Sequence, residues 1–417
     1  MFTFILQLLD LVYLHQVGLF LVFFICSWSI YFIKILKANT NKKLITPLSA
    51  SNRRTTIATK ISVVIPVVDE NLNVWKEVLS RVFLASEHVS AFSNVLVELI
   101  VVPNGSNAIE ETKIAKQRGF KIVRVKEAGK RNALYEVSKV IDSDITVILD
   151  SDTILNSYSI SDLIWIFKDA IVGGATPRHK ISNRGANIWR IVSDWLEDIR
   201  FSEVLKGQNM AVSCLPGRML AVRTSLFKEC MESMIKQTFL GSKCISGDDR
   251  YLTSWLLERG YKCAYVDSAE VETEAPDTLS QFIKQRLRWS RTSLRETIRS
   301  LRWLHNYPYT AFTVLTTIIM RWFFFIIVVN FVLFLLGITK QQHYIDLPLV
   351  TVIIGSIIGF VMSGFLKQIR HLYNYPRDII YLIPFLFITT FILTPVEWFG
   401  NLTLRESGWM TRKVDNE

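Results

Sequence analysis

Asp144-Ile145-Thr146-Val147-Ile148-Leu149-Asp150-Ser151-Asp152 is an apolar run closed by two carboxylates one residue apart. A short, continuous apolar run reads as a strand buried on both faces. Two carboxylates at its end are costly to desolvate unless a cation or a substrate uses them. The same pattern recurs upstream. Ile61-Ser62-Val63-Val64-Ile65-Pro66-Val67 predicts a buried strand, and residues 72–82 have helical spacing. Residues 97–102 predict a second strand, closed by Pro103-Asn104-Gly105. A short third strand is expected over 121–125, a helix over 130–140 and the fourth strand over 145–149. Strands alternating with helices at this spacing predict a parallel α/β sheet. Ligands of such sheets sit beyond the carboxyl ends of the strands, where Asp69, Asn104 and Asp150 all fall.

Composition sets this alternation beside a membrane. Half of the 417 residues are hydrophobic and 20% are charged, a mixture that fits an anchored or polytopic enzyme better than a soluble one. The net charge of +11 favours anionic partners: lipid headgroups, nucleotide phosphates or an acidic polymer. Nucleic acid is not an expected partner, since neither zinc-finger spacing nor a DNA- or RNA-binding module is recognisable. Cys26, Cys214, Cys230, Cys244 and Cys263 are scattered and form no C-x-x-C pair, which predicts reduced thiols. Residues 17–36 hold one charge, Lys34, and are long enough to cross a bilayer. Lys34, Lys37, Lys42, Lys43, Arg53 and Arg54 then predict a cytosolic position for the chain after about residue 37. No basic leader or small-residue cleavage site argues for a signal peptide. Residues 2–13 are apolar but broken by Asp10, and read as interfacial or packed against other helices.

Three more apolar stretches come after Trp289: 310–336, interrupted only by Arg321; 349–366; and 379–396, which holds Pro384 and Pro395. Lys367, Arg370, His371 and Arg377 predict a cytosolic loop between the last two, and Arg405, Arg412 and Lys413 a cytosolic tail. Two crossings and a broken or re-entrant third segment satisfy both.

Asp150-Ser151-Asp152 could hold one hard cation, and Mg²⁺ and Mn²⁺ share such oxygen ligands with substrate phosphates. A solvated turn is the plainer alternative. Asp69-Glu70 suits nucleotide-base recognition, or helix capping by Asp69 with Glu70 favourable to the helix dipole. Gly129-Lys130-Arg131-Asn132 opens a helix where free N–H groups and two cations suit a phosphate, or make only a basic surface start. Ser246-Gly247-Asp248-Asp249-Arg250 offers a general base for an acceptor hydroxyl: Arg250 is expected to pair with Asp248 and leave Asp249 for catalysis. A capped turn is again the alternative. Gln285, Arg288 and Trp289 share one helical face, where Arg suits pyrophosphate and the Trp ring a stacked sugar. An amphipathic interfacial helix is compatible with both. Cys214-Leu215-Pro216-Gly217-Arg218 reads as a Pro-Gly turn or as an acceptor-site wall. Cys214 has no visible His partner and is not expected to be a nucleophile.

In this order, Asp69, Asp150-Ser151-Asp152, Gly247-Asp248-Asp249-Arg250 and Gln285-Arg286-Leu287-Arg288-Trp289 resemble the processive family 2 glycosyltransferases over nearly the whole chain. That group includes hyaluronan, cellulose and chitin synthases. Within it, the wording from Val64 to Glu70, Gly129 to Ala133, Asp144 to Val147 and Cys214 to Arg218 looks most like type 3 capsular polysaccharide synthases. The resemblance implies a cytosolic, Rossmann-like GT-A α/β domain that takes UDP-sugars with Mg²⁺ or Mn²⁺. It implies that Asp69, with Glu70 and Asn104 nearby, contacts the nucleotide, and that Lys130 and Arg131 approach it. Asp150 and Asp152 would serve nucleotide and metal, with Asp152 the direct ligand. Asp249 would be the base, and Gln285 and Arg288 would hold pyrophosphate. Trp289 would floor the acceptor site, with Cys214, Pro216, Gly217, Arg218 and Asp248 around it.

The implied division is an interfacial segment, membrane helix and basic linker over 1–57, and the GT-A domain over 58–280. Interfacial helices over 281–309 and channel segments with a cytosolic tail over 310–417 complete it. The implied activity is inverting transfer of glucose and glucuronic acid to a growing β-linked capsular or extracellular polysaccharide, extruded through the chain's own helices. The enzyme would be a multi-pass protein of a bacterial plasma membrane, in contact with lipids and able to act as a monomer. Hyaluronan synthesis from UDP-GlcNAc and UDP-glucuronic acid, non-processive transfer to a lipid, and a nucleotide-sugar-responsive receptor are the alternatives. Two departures qualify the likeness. Met410 stands where the family's Trp-Gly-Thr-Arg gating segment has glycine, leaving Trp409, Thr411 and Arg412 as gating residues. Ser246-Gly247 leans toward hyaluronan synthases. Arg178, His179, Lys180 and Arg218 are the candidate cations for a uronate carboxylate.

Overall fold

A computed structural model of the chain describes residues 16–41, 58–93, 95–104, 108–125, 127–336 and 349–406. The chain forms two compact units, one of residues 1–37 and 311–398 and one of residues 38–310 and 399–417. In chain order the elements up to residue 300 are α1 (Gln16–Thr40), β1 (Lys60–Val67), α2 (Leu72–Ser93), β2 (Leu96–Pro103), α3 (Ile109–Gln117), β3 (Lys121–Ile122), α4 (Lys130–Val140) and β4 (Ile145–Leu149). Then come β5 (Thr153–Leu155), α5 (Ser159–Ile164), β6 (Val172–Ile181), α6 (Ile188–Ile199), β7 (Met219–Arg223), α7 (Thr224–Met234), β8 (Thr238–Phe239), β9 (Ser242–Lys243), α8 (Asp248–Glu258), β10 (Lys262–Thr273) and α9 (Leu279–Ser300).

All these elements but α1 belong to the second unit, where an eight-stranded sheet runs β3-β2-β1-β4-β7-β6-β10-β5. β1 lies between β2 and β4, and every residue after Lys60 in it is buried. Pro66 lies past the last β1–β4 pair, Val64 with Ile148, so its missing N–H breaks no rung there. The first four strands are parallel, as the alternation predicts. The whole sheet is mixed. β7 runs antiparallel between β4 and β6, and β5 runs antiparallel to β10. A buried strand is apolar whichever way it runs, so composition carries no record of direction. The third strand is only Lys121–Ile122, an edge pairing with β2, while α2 continues eleven residues beyond the predicted 82. Packing of Trp75, Val78, Leu79, Val82, Ala85 and Val89 into the core extends it.

The first unit contains helix α1 up to Lys37 and, over residues 311–398, most of three apolar helical runs. These are α10 (Pro308–Leu335), α11 (Leu349–Asn374) and a run from Pro376 to Leu402 that contains α12 (Leu382–Phe387) and α13 (Thr394–Leu402). Val22–Thr40, Pro308–Asn330 and Pro376–Leu402 are each long and apolar enough to cross a membrane. The third run, expected to be broken, is continuous but changes hydrogen-bond class. It opens as a 3₁₀ turn at Pro376–Tyr381 and becomes a π-helix at Ile388–Leu393. Within this unit Arg321 and Glu397 pair at 2.7 Å, and the Trp398 indole donates to the Arg321 carbonyl at 3.2 Å. That pairing explains how a lone arginine is tolerated in an apolar helix. The 2–13 segment and the basic stretch after residue 41 lie outside the described residues.

Candidate active site

The carboxyl end of β4, the turn before β7 and the first turn of α8 converge on one ammonium from the start of α4. Lys130 Nζ lies 2.6 Å from Asp150 Oδ1, 3.3 Å from Asp248 Oδ2 and 3.4 Å from the Gly217 carbonyl. The first acidic motif, the basic helix start, the Pro-Gly turn and the second acidic motif thus meet through a single side chain. Burial opposes the charged ammonium, but Asp150 and Asp248 outweigh it and hold its pKa above the ordinary value. Burial likewise pushes the Asp248 carboxyl up, and Lys130 with Arg131 overcomes that and holds it below the usual carboxylate range.

Asp249 stands beside this pair with both oxygens already oriented. Gly217 N–H donates to Oδ2 at 3.1 Å, and Arg250 N–H donates to Oδ1 at 2.7 Å. Gly217 packs closely here: a Cβ would sit 3.3 Å from Asp249 Cβ, a tight contact, and 3.4 Å from Lys130 Nζ, an ordinary one. Gly247, at φ +82°, brings the start of α8 so near α9 that a Cβ would meet Thr292 at 2.9 Å. Arg250 does not pair with Asp248. Its guanidinium donates to the Ser213 carbonyl at 2.9 Å and to Ser293 Oγ at 2.8 Å, because Lys130 occupies the Asp248 side. Cys214 Sγ lies 3.8 Å from Asp249 Oδ2, and burial beside that carboxylate pushes its thiol up to about 12. It is held as a thiol and not as a nucleophile.

Several of the expected ligand residues also make hydrogen bonds within the protein. Arg131 is buried, and its guanidinium donates to the carbonyls of Met234, Cys244 and Ser246 and to Gln237 Oε1. It shapes the loop before α8. Asn104 Oδ1 accepts the Gly129 N–H at 2.5 Å and ties β2 to the start of α4. Glu70 accepts from Ser151 Oγ at 2.7 Å and so fastens the β1 turn to the Asp150–Asp152 turn. Asp69 is exposed at φ +43° and is not the helix cap. Asn71 caps α2, accepting from Asn73 N–H at 2.9 Å. Asp152 is half-buried one residue past Ser151.

Trp289, on α9, is flanked by two cations. Arg218 lies 5.4 Å and Arg286 4.9 Å from its ring centroid. Arg218 is held by Glu197 at 3.2 Å, while its carbonyl accepts the Asp150 N–H at 2.8 Å. Gln285 Oε1 on the same helix is buried and has no hydrogen-bond partner among the described residues. Of the other candidate cations, Arg178 pairs with Asp198 at 2.8 Å and Lys180 with Glu270 at 2.7 Å. Burial lowers His179 to about 3, so it is neutral and is no cation at working pH. Trp409, Thr411 and Arg412 lie outside the described residues.

Glu197 is the residue that motif reading missed. Its only sequence signal is the cluster Asp194, Glu197 and Asp198 at i, i+3 and i+4 on a helix whose other buried positions are mostly apolar. Burial raises its pKa, but Arg218, Arg200 and Arg286 prevail and hold it at about 2, against an ordinary 4.5. A depressed acid contributes stability above its unfolded pKa and loses it as pH falls through the folded one. Glu197→Gln is therefore expected to cost about 3 kcal/mol at pH 7, from about 1.4 kcal/mol per pKa unit. The deficit should shrink as pH drops from 4.5 toward about 2. Denaturant unfolding of both proteins in detergent at several pH values measures it, and a deficit constant with pH refutes the ionic account.

A profile of the family described as glycosyltransferase like family 2 matches residues 58–292. The chain is 24% identical over 366 residues to a hyaluronan synthase of Streptococcus pyogenes, covering 85% of this chain and 83% of that protein. It is likewise 24% identical over 366 residues to an N-acetylglucosaminyltransferase of Azorhizobium caulinodans, covering 85% of this chain and 87% of that protein. Among solved structures it is similar to a mannosyltransferase from Pyrobaculum calidifontis in complex with GDP-Man and Mn²⁺. That likeness has a TM-score of 0.60 at 13% identity and covers 93% of this chain and 100% of that one, which shows a shared fold.

Proposed function

The chain belongs to glycosyltransferase-like family 2, a glycosyltransferase with a GT-A α/β unit, and on that premise we propose a membrane-embedded processive polysaccharide synthase. The observation that carries the reading is Lys130 bridging Asp150 and Asp248, which joins the donor end of the sheet to the base Asp249. Donors are UDP-sugars. Glucose with glucuronic acid is the pair implied by the type 3 likeness. GlcNAc with glucuronic acid is favoured by the similarity to the S. pyogenes protein. The product is a β-linked extracellular polymer.

Asp69 lies on the nucleotide side, and Gln285 and Arg288 face the diphosphate. Trp289 floors the acceptor, walled by Cys214, Pro216, Gly217 and Arg218. An acceptor hydroxyl gives its proton to Asp249 as its oxygen bonds the anomeric carbon, while the bond from that carbon to the diphosphate oxygen breaks and inverts the centre. Asp249 keeps a lone pair on Oδ1 for this proton, since Oδ1 accepts only the Arg250 N–H while Oδ2 accepts from Gly217 N–H and the Cys214 thiol.

The donor set suits a small hard ion. The described residues contain no group of three His, Cys, Asp or Glu side chains that could hold a metal. Mg²⁺ and Mn²⁺ sites of this kind use one or two carboxylates and complete their shell with phosphate and water. Asp152, with Asp150, would hold the ion, which when bound offsets charge developing on the leaving diphosphate.

α10, α11 and the continuous Pro376–Leu402 run form the membrane part, with the catalytic unit on the cytosolic side of a bacterial plasma membrane. Purified protein in detergent, given Mg²⁺ or Mn²⁺ and pairs of UDP-sugars, is expected to release UDP and make long polymer. Only short products would favour transfer to a lipid, and no product from any pair would end the enzyme reading.

A further inference from the structure

Helix α9 has a second polar contact just past Trp289, one that the transfer reaction does not use. Ser290 Oγ donates to Asn401 Oδ1 at 3.1 Å, and Arg291 Nε donates to Thr403 Oγ1 at 3.0 Å. The Arg291 guanidinium also pairs with Glu406. Ser290, Arg291 and Asn401 are buried. Gly400 completes the contact, since a Cβ there would lie 2.9 Å from Ser290 Cβ. The segment at the end of the last apolar run is therefore fastened to the helix that carries the acceptor platform.

Helix geometry makes this contact mechanical. Successive residues turn by about 100°, so Trp289 and Arg291 project about 200° apart around α9. One side of the helix presents the ring, and the other is held by the C-terminal segment. A buried guanidinium stripped of its carboxylate and hydroxyl partners is costly, so the segment and the helix hold one arrangement together.

We propose that Arg291 is a positioning residue for processivity: by anchoring residues 401–406 to the back of α9, it keeps the Trp289 platform oriented to retain the polymer end between additions. This rests on the processive-synthase reading. Arg291 takes no part in bond formation, so its loss acts on release of the growing chain and leaves the transfer step made at Asp249 intact.

The test uses the full-length protein in detergent with a UDP-sugar pair that supports synthesis, reading initial UDP release and product length together. Arg291→Ala is expected to keep initial UDP release within about twofold while mean product length falls about fivefold, the factor that ~1 kcal/mol of lost coupling produces. Arg291→Glu combined with Glu406→Arg is expected to restore length, and Arg291→Glu alone is not. Glu406→Gln carries the same expectation as Arg291→Ala and serves if that variant does not fold, because Glu406 is an exposed partner. Wild-type product length in the variants, or turnover and length falling in proportion, overturns the proposal. A wild-type protein that makes no polymer overturns the synthase reading itself, a result distinct from long polymer whose length ignores Arg291.

Discussion

Asp249→Asn is expected to lower sugar transfer by about 10²- to 10⁴-fold, the usual contribution of a positioned general base. The substitution removes the proton acceptor and hardly changes shape. Its second effect comes from the geometry. Both Asp249 oxygens accept backbone N–H groups, from Gly217 at 3.1 Å and from Arg250 at 2.7 Å. An asparagine can offer its oxygen to only one of them, and its NH₂ must then face the other donor. That mismatch costs about 1–3 kcal/mol, so a modest loss of stability should accompany the loss of turnover. The donor diphosphate is assigned to Gln285, Arg288 and the Asp150–Asp152 turn, so binding of UDP by calorimetry should stay within about threefold, less than ~1 kcal/mol. Turnover within about tenfold of wild type removes Asp249 from the base role. Lost turnover together with lost UDP binding assigns it to the donor site instead.

What the sequence disclosed about this site depends on what side-chain chemistry repeats locally. The parallel half of the sheet was legible because β1, β2 and β4 are short apolar runs ended by polar residues. The reversed strands were not, since β7 and β5 take their direction from turns. Thr153 N–H donates to the Asp150 carbonyl across one such turn. Asp150, Asp248 and Asp249 stood out because adjacent acids at the ends of apolar segments are rare without a purpose. Their common partner did not stand out. Nothing local assigns Lys130 to Asp248 over Arg250, because the choice is made by sheet topology, which brings the start of α4 within 3.3 Å of the start of α8. Arg131 shows the same limit from the other side. It is adjacent to Lys130 and equally basic, yet helical rotation turns it into a loop of carbonyls. Glu197 was silent because the arginine it holds lies twenty-one residues away, on the turn before β7.

Lys130→Met should show how far one cation organises the centre. The substitution keeps much of the stem and deletes the ammonium, leaving Asp150 and Asp248 facing each other across the gap it filled. Breaking a buried ion pair by removing one partner costs about 3–5 kcal/mol. Transfer should fall about 10²-fold or more, since misplaced carboxylates no longer present the donor to Asp249. The pH dependence separates charge from shape. In the wild type Asp248 is held below its ordinary range, so it contributes stability that is lost as pH falls through the folded value. In the variant the two carboxylates repel, and taking up a proton relieves them. The stability deficit of the variant should therefore be largest near neutral pH and should narrow as pH falls through the carboxylate range. Lys130→Arg is expected to recover little, because a planar fork on a longer stem cannot reproduce a single nitrogen placed 2.6 Å from Asp150 and 3.3 Å from Asp248. Unfolding midpoints of the three proteins from neutral to acid pH decide the matter. A deficit that does not change with pH makes Lys130 a packing residue, and full recovery by arginine makes any positive charge sufficient. A narrowing deficit with no recovery identifies a placed ammonium as the link between the donor turn and the catalytic helix.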